Sequence, residues 1–297
     1  KSYRSCVKTP RSRLLSVIAI LSGLILITLV LLLKDVPNPT KLTKTPAPIS
    51  TQILDRNGKL LYEVYTDYKR TPISFANIPD YVKQGTIAIE DKNFYHHFGL
   101  DITGIVRAAF NTLTGKRLEG GSTLTQQLVK NSLLSDTQRT LTRKVKEAIL
   151  AIVTEITYSK DQILELYLNY TPYGGTAYGI EAAAQTYFGK SAKDLDLAES
   201  TLLVGLPQSP TRYSPFGANP DLAINRQHEV LRRMVEDGYI TQEQADQAKA
   251  EKLNFAKKNI TINAPHFSLM VRDALVQKYG EDKVNLGGLR VTTTLDL

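Results

Sequence analysis

Residues 90–101 read EDKNFYHHFGLD, and residues 120–131 read GGSTLTQQLVKN. Ile87, Ala88 and Ile89 precede the first stretch, so Glu90 sits at the end of an apolar segment. Partial desolvation there makes a carboxylate a better base. The plainer reading is an exposed helix end, with Asp101 only an N-cap. A metal site built from Glu90, His96, His97 and Asp101 matches no standard ligand spacing. The second stretch is a Gly-rich turn running into a helix N-terminus. Free N–H groups there suit a phosphate or a sugar. The G-x-x-x-x-G-K-[ST] spacing of a Walker loop is absent.

Outward from these two stretches the chain is patterned for helices. Asp101 caps a run in which Ile102, Ile105, Val106, Ala109, Phe110 and Leu113 share one face, with Gly115 as its stop. Leu141, Val145, Ala148, Ile149, Ile152 and Ile156 form a second apolar stripe. Thr123-x-x-Gln126, Ser159-x-x-Gln162 and Thr241-x-x-Gln244 are capping boxes, and Asp196-x-x-Glu199 is a looser variant. Asn219 and Pro220 predict a helix start, and Gly238 predicts a stop. Asn57-Gly58 lies between two apolar-rich runs within residues 51–65, a strong hairpin signal. No βαβ alternation and no internal repeat is present. The expected core is one mainly α domain over residues 71–253, preceded by a short β-hairpin.

The chain's 297 residues allow one or two domains. A 42% hydrophobic and 22% charged composition excludes a wholly disordered chain. A single Cys excludes a disulfide framework and a multi-thiolate zinc site. Of the net charge of +8, five positive charges come from Lys1, Arg4, Lys8, Arg11 and Arg13, and the first 33 residues contain no acid. From Lys34 onward 32 basic side chains face 29 acidic ones, which gives a nucleic-acid reading little support.

Residues 14–33 (LLSVIAILSGLILITLVLLL) carry no charge. A helix of that length spans the ~30 Å hydrocarbon core of a bilayer. The stretch exceeds the roughly 7–15 residue core of a cleaved signal peptide, and no A-x-A-like site follows. It reads as an uncleaved signal anchor in the inner (plasma) membrane. The basic tail of residues 1–13 is cytoplasmic, and everything from Lys34 lies on the outer face. Residues 34–70 then comprise a linker with Pro37, Pro39, Pro46 and Pro48, lifting the next element off the bilayer, and the hairpin.

Arg139, Arg143, Lys144 and Lys146 precede Glu147. Arg143 and Glu147 are four apart, on the side opposite the Leu141–Ile156 stripe. The bland reading is a solvated ion pair worth a few tenths of a kcal/mol. The functional reading is a basic wall for a phosphate, with Lys130 on the preceding helix facing the same space.

Taken in order, these segments resemble the peptidoglycan glycosyltransferases, the module of class A penicillin-binding proteins and of monofunctional transglycosylases. EDKNFYHHFGLD is similar to the family's first motif, GGSTLTQQLVKN to the second, RKVKEAILA (143–151) to the third and KDQILELYLN (160–169) to the fourth. Residues 178–215, from YGIEAAAQ to TRYSP, resemble the fifth block.

The resemblance implies a mainly α, lysozyme-like domain of two lobes around a cleft. It implies that the enzyme polymerises lipid II into β-1,4 glycan strands with inversion, releasing undecaprenyl pyrophosphate. By the same resemblance Glu90 is the general base and Glu147 the second catalytic carboxylate. Lys130, Arg139, Arg143 and Lys144 would stabilise the pyrophosphate, and Asp91, Phe94, His97, Ser122, Thr123, Gln126, Gln127 and Asn131 would bind substrate. A divalent cation, Mg or Mn, fits on the pyrophosphate, held by no protein site alone; no organic cofactor is implied. The expected partners are lipid II and the growing strand, membrane lipids, and envelope or cell-division proteins, with no nucleic acid. Residues 254–297 resemble the entry to a truncated transpeptidase half, and no S-x-x-K, S-x-N or K-T-G set occurs after the anchor. Two other readings carry different tests: a lysozyme-like muramidase acting on finished glycan, and a non-catalytic membrane-anchored envelope scaffold. A hydrolase has no pyrophosphate for the basic cluster to stabilise, and a scaffold would not keep every motif residue.

Overall fold

The computed structural model describes residues 22–23, 37–40, 42, 50–64, 69–114, 121–134, 140–217, 219–256, 263–286 and 288–297. The side chains of residues 108–113 lie outside that description, as do Lys116, Arg117, Leu118 and Arg139. So does the predicted span, apart from Ser22 and Gly23, which are helical. Among the described residues no helix is long and apolar enough to cross a membrane.

The domain is mainly helical with two small sheets. Helix α1 (Asp80–Glu90) starts after Pro79, with Asp80 favourably placed in the first turn. It buries Val82, Ile87, Ala88 and Ile89. Helix α2 is Ile102–Leu113, α3 Leu124–Ser132, α4 Leu141–Thr157 and α5 Lys160–Tyr170. Helix α6 (Ile180–Phe188) leads to α7 (Leu197–Gly205), which is buried along nearly its whole length, as a central helix is. Helix α8 (Asp221–Glu236) packs across α7 and α1, and α9 (Gln242–Ala250) follows. Gly85 makes the crossing close: a Cβ there would lie 3.1 Å from Val204 and 3.3 Å from Met234.

All four predicted caps form, each with its reciprocal side-chain bond. Gly238 adopts φ +76°, and Tyr239 N–H returns to the Met234 carbonyl, closing α8 as predicted. Its start differs. Pro220 rather than Asn219 is the residue before the helix, and no side chain caps it.

The described residues of the two apolar stripes face outward, not into the core. On α2, Ile102 and Val106 are 64% and 63% exposed; on α4, Leu141 and Ile156 are 87% and 71% exposed. Helix α4 instead buries Glu147, Leu150, Ala151 and Thr154 against α3. Periodicity identifies an apolar face but not what covers it.

The hairpin is present: β1 (Thr51–Leu54) pairs antiparallel with β2 (Leu60–Val64). Its turn is tied by the Asp55 carboxylate, which accepts N–H bonds from Asn57 and Lys59 at 2.8 Å each, and Gly58 takes φ +85°. A second sheet pairs β3 (Lys69–Arg70), from the expected linker and hairpin region, with β4 (Pro172–Gly174) and β5 (Ala177–Tyr178), which lie where only helix is expected. Sequence patterning also misses the hairpin's partners. Helices α10 (Pro265–Tyr279) and α11 (Glu281–Leu286) cover it, and β6 (Arg290–Thr292) adds parallel to β1. Ile53, Leu61, Val64 and Val284 form the separate small core of this unit.

The expected linker is not free of the domain where it is described. Pro39 is buried, and Leu42 is 3% exposed within the main core. Tyr158 and Tyr170 donate their hydroxyls to the carbonyls of Pro39 and Leu42.

Candidate active site

Glu90 ends α1 at the floor of a cleft of about 740 Å³ between the N-terminal ends of α2 and α3 and the side of α8. Its side chain is 10% exposed. Gln127 donates from Nε2 to Glu90 Oε2 at 2.7 Å, so this carboxylate is held from α3. Among the described residues Glu90 Oε1 accepts no hydrogen bond, and it lies 3.8 Å from the Arg226 guanidinium, which also lines the cleft. One oxygen is thus fixed and the other keeps its acceptor capacity unused. Tyr167 and Tyr173 lie buried close by. Burial raises both phenol pKa values, and the Glu90 charge adds to it, so both stay neutral donors.

Asp91, the residue after the helix, is buried and fully engaged. Its oxygens lie 2.9 and 3.0 Å from His97 Nε2, and Oδ2 accepts Leu124 N–H at 2.9 Å. This carboxylate therefore sits on the N-terminus of α3, where an anion is favoured by the free N–H groups and the helix dipole. His97 Nδ1 is buried without a hydrogen-bond partner. Phe94 is fully buried, with the Lys160 ammonium 4.5 Å above its ring. Thr123 and Gln126 are buried in the α3 capping box, and Thr123 Oγ1 donates to the Gly99 carbonyl at 2.7 Å. Asp101 accepts Gly104 N–H at 2.9 Å, as an N-cap does, and also lines the cleft.

The basic wall has a defined geometry. Glu147 is 2% exposed, which excludes the solvated-pair reading. Arg143 Nε lies 3.3 Å from its Oε1, and Lys144 Nζ donates to its Oε2 at 2.9 Å. Lys144 also donates to Ser122 Oγ at 2.8 Å, and Ser122 lines the cleft. Lys130 lines it too and joins the two halves. Burial lowers its pKa, opposed by the charges of Glu147 and Glu90 and assisted by Arg143 and Lys144. Asn131 stands exposed on α3 and Arg139 lies outside the described residues. Among the described residues no three His, Cys, Asp or Glu side chains gather as a metal-binding group.

Sequence reasoning misses the far wall. Arg212 and Tyr213 come from the loop after α7; Asn225, Arg226 and Arg233 come from α8. The signal is present: Leu222, Arg226, Glu229 and Arg233 recur at helical spacing on the face beside the buried Ala223, Gln227, Val230 and Met234. That face is polar, and pattern alone reads it as solvated surface.

Residues 57–235 match the transglycosylase family. The chain belongs to that family. It is 44% identical over 282 residues to penicillin-binding protein 1A of Aquifex aeolicus (strain VF5), covering 95% of this chain and 38% of that protein. It is 41% identical over 264 residues to penicillin-binding protein 1A of Escherichia coli (strain K12), covering 88% of this chain and 31% of that one. The chain thus spans about a third of the length of these relatives. The crystal structure of penicillin-binding protein 1A from Haemophilus influenzae is 26% identical, covers 84% of this chain and 27% of its own, and has a TM-score of 0.47. The matched stretch is a peptidoglycan glycosyltransferase domain, homologous to the glycosyltransferase module of penicillin-binding protein 1A. The cleft described above lies within it.

Proposed function

We propose that this transglycosylase domain extends glycan strands from lipid II by inverting transfer, with Glu90 as general base. The observation that carries the proposal is the asymmetry of the Glu90 carboxylate: Oε2 is bound by Gln127, and Oε1 has no hydrogen bond. Oε1 takes the proton of the acceptor sugar's 4-hydroxyl as that oxygen bonds to the donor's anomeric carbon. The bond from that carbon to the pyrophosphate oxygen breaks on the opposite face, and its electron pair leaves with the pyrophosphate. Charge grows on the leaving group, so prearranged cations lower the barrier. Lys130, Arg143 and Lys144 supply them, and Glu147 orients the last two through its ion pairs. A divalent cation would ride on the pyrophosphate and supply further charge neutralisation. The side chains give it no cage of their own among the described residues.

Asp91 and His97 act as positioning residues for α3, and Gln127 for the base. Ser122, Arg212 and Arg226 line the cleft wall where substrate would lie. The two-lobed, lysozyme-like reading fits a cleft lined by α3 on one side and α8 on the other. A lipid-linked donor stays in the bilayer, so its enzyme works there. The uncharged stretch 14–33 is the anchor, and the outward apolar residues of α2 and α4 form a second, interfacial contact.

The test is polymerisation of labelled lipid II by the chain in detergent, with finished glycan as the competing substrate. Strand growth supports the proposal. Cleavage of finished glycan without strand growth makes the domain a muramidase.

A further inference from the structure

We propose that residues 37–40 and Leu42 form a docked strap that fixes the height of the catalytic cleft above the bilayer. This rests on the reading of residues 14–33 as a membrane anchor. The strap turns on itself, Leu42 N–H bonding the Pro39 carbonyl at 2.9 Å and Thr40 N–H the Asn38 side chain at 2.9 Å. It is held at both ends of α5. Tyr158, just before the helix, donates to Pro39 O at 3.1 Å, and Tyr170, its last residue, donates to Leu42 O at 3.0 Å. Leu42 is 3% exposed in the main core, so undocking exposes a full apolar side chain.

Chain length turns this docking into a height limit. Pro39 is six Cα steps on from Leu33, a reach of at most about 21 Å even when fully extended. Were the strap free, the first fixed point would be Ser50, and its seventeen steps would reach about 60 Å. The docked strap thus confines the Tyr158 corner of the domain to a shallow zone over the membrane. The exposed Ile152, Val153 and Ile156 lie in the last turns of α4, beside that corner. The chain leaves the strap at Leu42 beside Tyr170 and is bound again at Ser50, whose Oγ accepts Arg70 N–H at 3.2 Å. Arg70 in turn lies 4.6 Å over the Tyr170 ring. Leu42 and Ser50 are thus both tied to the Tyr170–Arg70 contact, so extra length inserted between them adds no reach from the membrane.

The experiment uses the full chain in vesicles of bacterial polar lipids. The same Gly/Ser insertion of about ten residues, a flexible coil, is placed either between Lys34 and Asp35 or between residues 45 and 46. Height is read by energy transfer to acceptor lipids from a dye at Gln247→Cys, an exposed site on α9, in a Cys6→Ser background. Turnover of lipid-linked substrate is read in the same vesicles and again in detergent. The proposal expects the first insertion to lower energy transfer and to cut vesicle turnover by about tenfold, the scale on which lost positioning acts. The second insertion should change neither, and detergent turnover should hold for both. The double variant Tyr158→Phe/Tyr170→Phe keeps both rings and should behave as the first insertion does. Equal effects of the two insertions would overturn the strap and make residues 34–50 an ordinary tether. Vesicle flotation of the parent checks the anchor separately: a chain that does not float overturns the anchor reading and the strap together.

Discussion

Gln127 Nε2 and Glu90 Oε2 are joined by a 2.7 Å hydrogen bond that runs from α3 to the end of α1. Among the described residues the other carboxylate oxygen, Oε1, has no hydrogen bond. The sequence reading makes Gln127 a substrate contact; the geometry makes it a brace for Glu90. Kinetics separate the two. Gln127→Ala should lower kcat by about tenfold with KM nearly unchanged, because a base out of position loses transition-state geometry. A raised KM with kcat intact would return Gln127 to the substrate.

Lys130 gives the account a pH signature. Burial lowers its pKa from the ordinary lysine value, so its charge is lost at a lower pH than on a surface lysine. As pH rises through that lowered value the cleft loses a cation, and kcat/KM should fall on the alkaline side, below the usual ~10.4. Lys130→Arg should move that limb upward. The stability sign is opposite. The fold disfavours the charged form, so Lys130 weakens folding at neutral pH, and the weakening is relieved as pH rises toward the unfolded value. Lys130→Met should therefore raise Tm while lowering activity.

How far the sequence could be read depends on the kind of signal. The capping boxes at Thr123, Ser159, Asp196 and Thr241 form because their partners lie three residues away and need no tertiary help. Motif order singles out Glu90 and Lys130, and both line one cleft. The strand β6 pairs with β1 across more than two hundred residues, and no local pattern announces it. Arg226 reaches Glu90 only because α8 crosses α1, a contact set by Gly85 and its neighbours rather than by spacing. The stripes of α2 and α4 are legible as apolar faces, but the outward direction on α4 follows from Glu147 and Leu150 turning its other side inward.

Arg226 should be needed in its own chemical form. Its guanidinium is 3.8 Å from Glu90 Oε1, and its Nε lies 3.4 Å from the Gly205 carbonyl. Arg226→Lys keeps a charge but loses the planar fork that meets both sides at once. It should lower kcat/KM by about tenfold, and Arg226→Ala by about a hundredfold, on the scale of a removed transition-state contact. Parent-like rates for both would detach α8 from the chemistry.

The outward stripe should serve membranes and not stability. Leu141→Asp/Ile156→Asp alters two side chains that are 87% and 71% exposed. A soluble form beginning after Lys34 and carrying both changes should keep its stability within about 1 kcal/mol. It should lose binding to anionic liposomes. Unchanged binding would end the interfacial reading of α4.

Gly99 should tolerate no side chain. It adopts φ +79°, and a Cβ there would meet the Ala151 backbone at 3.0 Å and Glu155 at 3.2 Å. Gly99→Ala combines left-handed strain of about 1–2 kcal/mol with that contact, and should lower Tm by several degrees. A parent-like melting curve would mean that the loop and α4 can separate without cost.

The general-base role of Glu90 is most directly measured by the rate at which Glu90→Gln polymerises labelled lipid II, beside its melting temperature. The carboxamide preserves shape and can still meet Gln127, but it cannot take a proton. The account predicts a loss of more than about a hundredfold with the melting curve intact. Polymerisation within a few-fold of the parent would contradict it and move the base elsewhere in the cleft.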